Sequence, residues 1–223
     1  MRNKLQRLAG ATVLAATLAG GIAHASPITF AVQVWTASTP GATSTSASQQ
    51  ATPDNPIAQN ANLATSFSFA GLPDWNNPAH SANTFTDFVV PSTAIQNQVF
   101  FGTYATTQNF VLSTSNFSSV SLFELSFTTT ANLSGTIQHD DGLSIWNSIN
   151  SVEYVNSAAP TNEIGTPFSL GPGSYNLWYV EANGAPAVLK FNVPEPGSLL
   201  VLGTGLIGLG LVLRRSRKDR VIG

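Results

Sequence analysis

The 223-residue chain has no cysteine, which removes disulfides, thiolate metal sites, thiol nucleophiles and lipid attachment through cysteine together. Whatever it folds into is held by packing and hydrogen bonds. Charged residues are also scarce, at 9%, and they are unevenly placed. Residues 26–193 contain nine acidic side chains and one basic side chain, Lys190, for a formal charge of −8. Such a body repels nucleic acid and anionic lipid and has no phosphate-neutralising patch, so no nucleic-acid partner is expected. Only two histidines, His80 and His139, fall in that stretch. No G-x-S-x-G elbow and no H-E-x-x-H pair occurs. With so few acid-base groups, the body is expected not to be an enzyme.

What is present at the two ends is directional. Arg2, Lys4 and Arg7 precede an apolar stretch from Leu8 to Ile22, and Ala23-His24-Ala25 supplies the small-x-small pattern of a signal-peptidase site. Residues 1–25 are therefore expected to be a secretory signal peptide, with the mature chain starting at Ser26. At the other end Leu199 to Leu213 is apolar or glycine apart from Thr204, and Gly197 and Ser198 extend the run to about 197–213. A helix of that length measures about 25 Å against a hydrocarbon core of about 30 Å. A short C-terminal transmembrane helix is the expectation. Arg214, Arg215, Arg217, Lys218 and Arg220 would keep its end in the cytoplasm. The predicted route is export across the inner membrane, then membrane anchoring, then the cell envelope or extracellular matrix.

Between the ends the pattern is period two. Ile28, Phe30, Val32 and Val34 share one face of a first strand, and Phe123, Leu125 and Phe127 alternate with Glu124 and Ser126. Tyr175, Leu177 and Tyr179 alternate with Asn176, Trp178 and Val180, so that strand should be central and covered on both faces. No ten-residue stretch of the body has helical spacing with good helix formers. Residues 26–193 are predicted to be all-β, a single β-sandwich or barrel. Ser, Thr, Ala, Gln and Pro dominate about 36–62, which reads as a low-complexity loop with too little apolar area to offset its own ordering.

The densest polar cluster is "TIQHDDGLSIW", containing His139, Asp140, Asp141, Gly142 and Trp146. Two carboxylates followed by a glycine between strand-like pieces can be an acidic hairpin turn facing solvent. They can equally offer hard oxygen ligands to Ca2+, and Asp140 and Asp141 are the candidate metal ligands. His139 beside an aspartate is the single compact acid-base pairing, although neighbours on a strand point to opposite faces. Trp75 and Trp146, with polar neighbours, are the candidates for an exposed ring that stacks on a sugar.

The tail "VPEPGSLLVLGTGLIGLGLVLRRSRK" resembles the PEP-CTERM sorting signal of exopolysaccharide-producing bacteria. The resemblance rests on Pro194-Glu195-Pro196, the glycine-rich run and the basic residues from Arg214 and Arg215 onward. It implies that residues 194–220 are a sorting signal, that an exosortase cuts near the triplet, and that exopolysaccharide or matrix components are partners. From about Ser119 to Val193, "HDDGLSIWNS" and "FSLGPGSYNLWYVEANGAPAVLKFNV" resemble PA14-like β-sandwich domains. In some carbohydrate-binding members of that family the paired aspartates hold calcium, which would fall on Asp140 and Asp141. Ser144 and Asn147-Ser148 depart from that pattern. The expected function is an exported cell-surface or extracellular-matrix protein, structural or polysaccharide-associated. The alternatives are a calcium-dependent carbohydrate-binding module and a secreted polysaccharide hydrolase.

Overall fold

The structure, a computed structural model, describes residues 28–76 and 83–194 together with 203, 205 and 206. The period-two segments become strands β1 (Thr29–Ser38), β2 (Leu63–Ala70), β3 (Asp74–Asn76), β4 (Ile95–Phe100), β5 (Ser119–Thr129), β6 (Leu133–Asp140), β7 (Gly142–Asn147), β8 (Glu153–Ser157), β9 (Ile164–Leu170), β10 (Gly173–Glu181) and β11 (Val188–Asn192). Two four-residue helices, α1 (Phe85–Phe88) and α2 (Tyr104–Thr107), join them. The strands form two antiparallel sheets, a larger one ordered β4-β2-β1-β5-β10-β7-β8 and a smaller one ordered β3-β11-β6-β9.

Alternation then decides which side chains meet. Phe30, Val32 and Val34 of β1, Phe123 and Leu125 of β5, and Leu177 and Tyr179 of β10 join Ile137, Leu189 and Phe191 of the smaller sheet in the main core. Trp75 lies at 0% exposure in that core, edge-on to Phe69 and Phe88. Its polar neighbours had marked it as an exposed ring, yet the indole fills the space between the layers. The strand from Tyr175 to Glu181 is buried along its length, between β5 and β7.

The opposite face of the larger sheet carries a second apolar cluster. Trp35, Val120, Leu122, Trp178 and Val180 meet Ala51 and Ile57 from the Ser/Thr-rich segment, with Trp35 stacked on Trp178 at 6.0 Å. That segment has no strand beyond β1, but it is packed. Gln49 and Asn55 are buried, and the Asn55 amide donates to Ser48 O (3.1 Å) and Gln50 O (2.7 Å) while its Oδ1 accepts from Ile57 N (3.0 Å). Polar side chains satisfy the turning backbone, so ordering does not depend on apolar area alone.

Two expectations need correction. No sheet closes into a barrel: β4 and β8 are the edges of the larger sheet and β3 and β9 those of the smaller. The reason is that the chain changes layer repeatedly, as between β6 and β7 and between β10 and β11, and no ladder joins the edges of the two sheets. The transmembrane helix over about 197–213, and the membrane-anchored stage with it, are also corrected, because no helix among the described residues is long and apolar enough to cross a membrane. Of that run residues 203, 205 and 206 are described, and they are helical. Five glycines (Gly197, Gly203, Gly205, Gly208 and Gly210) thin the run, each weaker than alanine in a helix by about 1 kcal/mol. The expected signal peptide at 1–25 lies outside the described residues.

Asn55→Ala should leave buried backbone carbonyls without donors and cost about 1–3 kcal/mol. Denaturant unfolding should show that loss, and limited proteolysis should cut faster within 36–62. An unchanged midpoint and cutting rate would mean that the segment is not held by this amide.

Candidate functional site

β6 ends at Asp140, paired with Val188 in the smaller sheet, and β7 begins at Gly142, paired with Val180 in the larger. Asp141 is the one residue between them, and it is 1% exposed. The pair of aspartates is therefore a crossing between layers, not a hairpin turn in solvent. Gly142 is required by contact: a Cβ there would lie 2.1 Å from Ala158 O.

A buried carboxylate at a crossing must find donors. Asp141 Oδ2 accepts from the backbone N–H of Ala182 (2.7 Å) and of Asn183 (2.8 Å), at the turn that follows β10. Burial raises its pKa and those two N–H groups oppose the rise. His139 is equally committed. Its Nδ1 faces Asp141 O, a group that only accepts, so Nδ1 carries the proton, and Nε2 accepts from Thr166 Oγ1 at 2.7 Å. Burial lowers its pKa, in keeping with a neutral ring.

Tyr179 and Glu181 are not among the site residues expected from sequence, yet they complete this cluster. The Tyr179 hydroxyl meets both Asp140 O and Glu181 Oε2. A phenol has one proton, and the carbonyl can only accept it. Glu181 must then supply the other hydrogen, which requires a protonated carboxyl. Its environment agrees: at 0% exposure, burial and then the charge of Asp141 push its pKa well up. Glu181 Oε1 accepts from Ser113 Oγ (2.7 Å) and Asn83 Nδ2 (3.2 Å). The available signal was alternation, since Tyr175, Leu177, Tyr179 and Glu181 occupy one face of β10. Asp140 is half-buried, and burial followed by the Asp141 charge raises its carboxyl to about 7.

His139, Asp140, Asp141 and Gly142 are thus brought together, as an internal bracket between the sheets. Trp146 is elsewhere, on the outer face of the larger sheet, where its Nε1 donates to Ser144 Oγ at 2.9 Å. Ser144 in turn donates to Ala51 O. Calcium takes six to eight oxygens, and Asp141 Oδ2 is already engaged. Among the described residues no group of three or more His, Asp or Glu side chains could hold a metal. Of the sorting residues, Pro194 is exposed just after β11, while Glu195, Pro196, Arg214 and Arg215 lie outside the described residues, as does His80.

The raised carboxyls make stability depend on pH with a definite sign. The folded chain holds the Asp140 proton up to about 7 against 3.8 for the ordinary group, so its contribution is complete below about 4 and is lost as pH rises through about 7. Melting temperature should fall across that window. Asp140→Asn should flatten the fall and raise the melting temperature at pH 8 by a few degrees; an equally steep fall in the variant would place the dependence on other groups. Gly142→Ala should be severely destabilising, by about 3 kcal/mol or more, because the methyl meets backbone that cannot move independently. A near-native denaturation midpoint in that variant would mean the crossing is looser than described.

Residues 192–218 match the PEP-CTERM protein-sorting motif. No curated protein and no solved structure matches the chain, and the PA14 likeness is not confirmed.

Proposed function

We propose that this is a surface or matrix protein, exported, cut at its sorting signal and left among extracellular polysaccharide as a structural or polysaccharide-associated component. The observation that carries the proposal is the sorting motif, which supports an exported protein processed at that signal and is consistent with an exosortase substrate. The motif begins on Asn192, the last residue of β11. Pro194 follows one residue after Val193, and Val193 still packs against the core. Pro194 is exposed, and a proline restricts the residue before it to extended backbone.

The hydrolase alternative is weakened by the bracket. His139 was its natural acid or base, and both ring nitrogens are engaged within the fold. A calcium-dependent sugar site at Asp140 and Asp141 is weakened by the same hydrogen bonds that hold the crossing.

Processing has a structural limit. β11 lies between β3 and β6 and contributes Leu189 and Phe191 to the core, so a cut upstream of Val193 would remove an interior strand. Intact-mass measurement on envelope, matrix and medium fractions should find a chain starting near Ser26 and ending between Pro194 and Pro196. It should co-fractionate with exopolysaccharide and be released when that polysaccharide is digested. Alanines at 194, 195 and 196 should leave the tail uncut. A mature form that keeps Arg220, or one that never accompanies polysaccharide, would overturn the reading.

A further inference from the structure

The outer face of the larger sheet is covered over only part of its length. The 36–62 segment packs on Trp35, Leu122, Trp178 and Val180, and the same strands continue past it into the open. There the register aligns Trp146 of β7, Asn176 of β10, Ser126 of β5, Ala31 of β1 and Ser68 of β2 in one row across the sheet. Four interstrand steps give that row a length of about 19 Å. Beside it, Ser174 and Thr128 form the neighbouring cross-strand pair, their hydroxyls 2.8 Å apart. Ala31, Ser68, Ser126, Thr128, Ser174 and Asn176 line a shallow groove of about 450 Å³, with Trp146 beyond its end.

Its chemistry is selective. The lining carries no charged side chain and is built largely of hydroxyl and amide groups around Ala31. The floor is also fixed in advance. Asn176 is 6% exposed; its Oδ1 accepts from Ser126 Oγ (2.9 Å), and its Nδ2 donates to Asn150 Oδ1 (3.1 Å). That binds the turn between β7 and β8 to the sheet as a wall, on which Ile149 is the exposed tip at 77%. Asn176 is a positioning residue, while Ser126 keeps lone pairs to accept, and the Thr128–Ser174 pair keeps one hydroxyl proton to donate.

We propose that this groove binds a neutral polysaccharide chain lying across the strands. The occupant follows from the lining: hydroxyls and amides that both donate and accept match sugar hydroxyls, and the small apolar floor at Ala31 lets the C–H face of a ring approach. An anionic glycan is disfavoured twice, by the absence of a cation in the lining and by Glu124, which lies on the same face two residues before Ser126 in a body of net charge −8. The inference rests on the polysaccharide-associated reading above and gives it a location.

The test uses the mature exported protein, purified from the matrix or medium, in affinity electrophoresis and calorimetry against hydroxyethylcellulose, dextran and galactomannan as neutral probes and alginate as the anionic one. Variants are Ala31→Trp and Ser68→Arg in the groove, and Ser169→Arg on an exposed position of β9. Thermal melts check that each folds. Binding to at least one neutral probe, insensitive to salt and weakened tenfold or more by both groove variants but not by Ser169→Arg, is the expected result. Binding that the groove variants leave unchanged would overturn the groove while keeping the polysaccharide reading. Binding to alginate alone, or no binding to any probe, would overturn both the neutral ligand class and the association. Groove variants that alter only self-association would assign the face to a second copy of the chain.

Discussion

A carboxylate taken out of water between two sheets sets the conditions for everything around it. Asp141 has to be there because β6 and β7 follow one another without a loop while belonging to different layers. Its charge is tolerable because two backbone N–H groups from the turn after β10 converge on it. That convergence fixes where the layer change from β10 to β11 can occur. Burial then sets the neighbouring groups: it raises Glu181 and Asp140, with the Asp141 charge adding to both, it lowers His139, and the Tyr179 hydroxyl joins β10 to the end of β6. Polar groups with so few alternatives specify one arrangement of the layers more sharply than the phenylalanines do, since aromatic contacts tolerate several packings.

The strands were legible in the sequence because alternation is a local property. Phe123, Leu125 and Phe127, or the two apolar faces of Tyr175 to Val180, announce themselves within a few residues. The layer change at Asp141 was not legible, because an Asp-Asp-Gly step has the composition of a surface turn and nothing in it reveals that both flanking strands are interior. Trp75 was misplaced for a related reason: Asp74 and Asn76 are polar because they point away from the core that the indole enters. The segment at 36–62 was judged by its shortage of apolar area, whereas Gln49 and Asn55 order it through hydrogen bonds that composition does not count.

The open face of the larger sheet was visible in the letters but not in their meaning. Ser126, Thr128, Ser174 and Asn176 are the polar half of an alternating pattern, and such residues are ordinarily the wet side of a strand. Only the register shows that they line up across several strands, and only the packing of the 36–62 segment shows that the rest of that face is taken. One loop therefore divides a single sheet surface into a dry half that stabilises the fold and a wet half free for another use.

The placement of β11 bears on the order of events during synthesis. This last strand sits inside the smaller sheet, and its Lys190 meets Asp74 from 116 positions earlier. Loop closure over such a separation is slow, and β3 and β6 have no partner between them until the chain is nearly complete. The body cannot finish folding before its final strand has emerged, and the sorting motif starts on that strand. A chain arranged this way gains its full resistance to proteases only once the start of its sorting motif has been made as well.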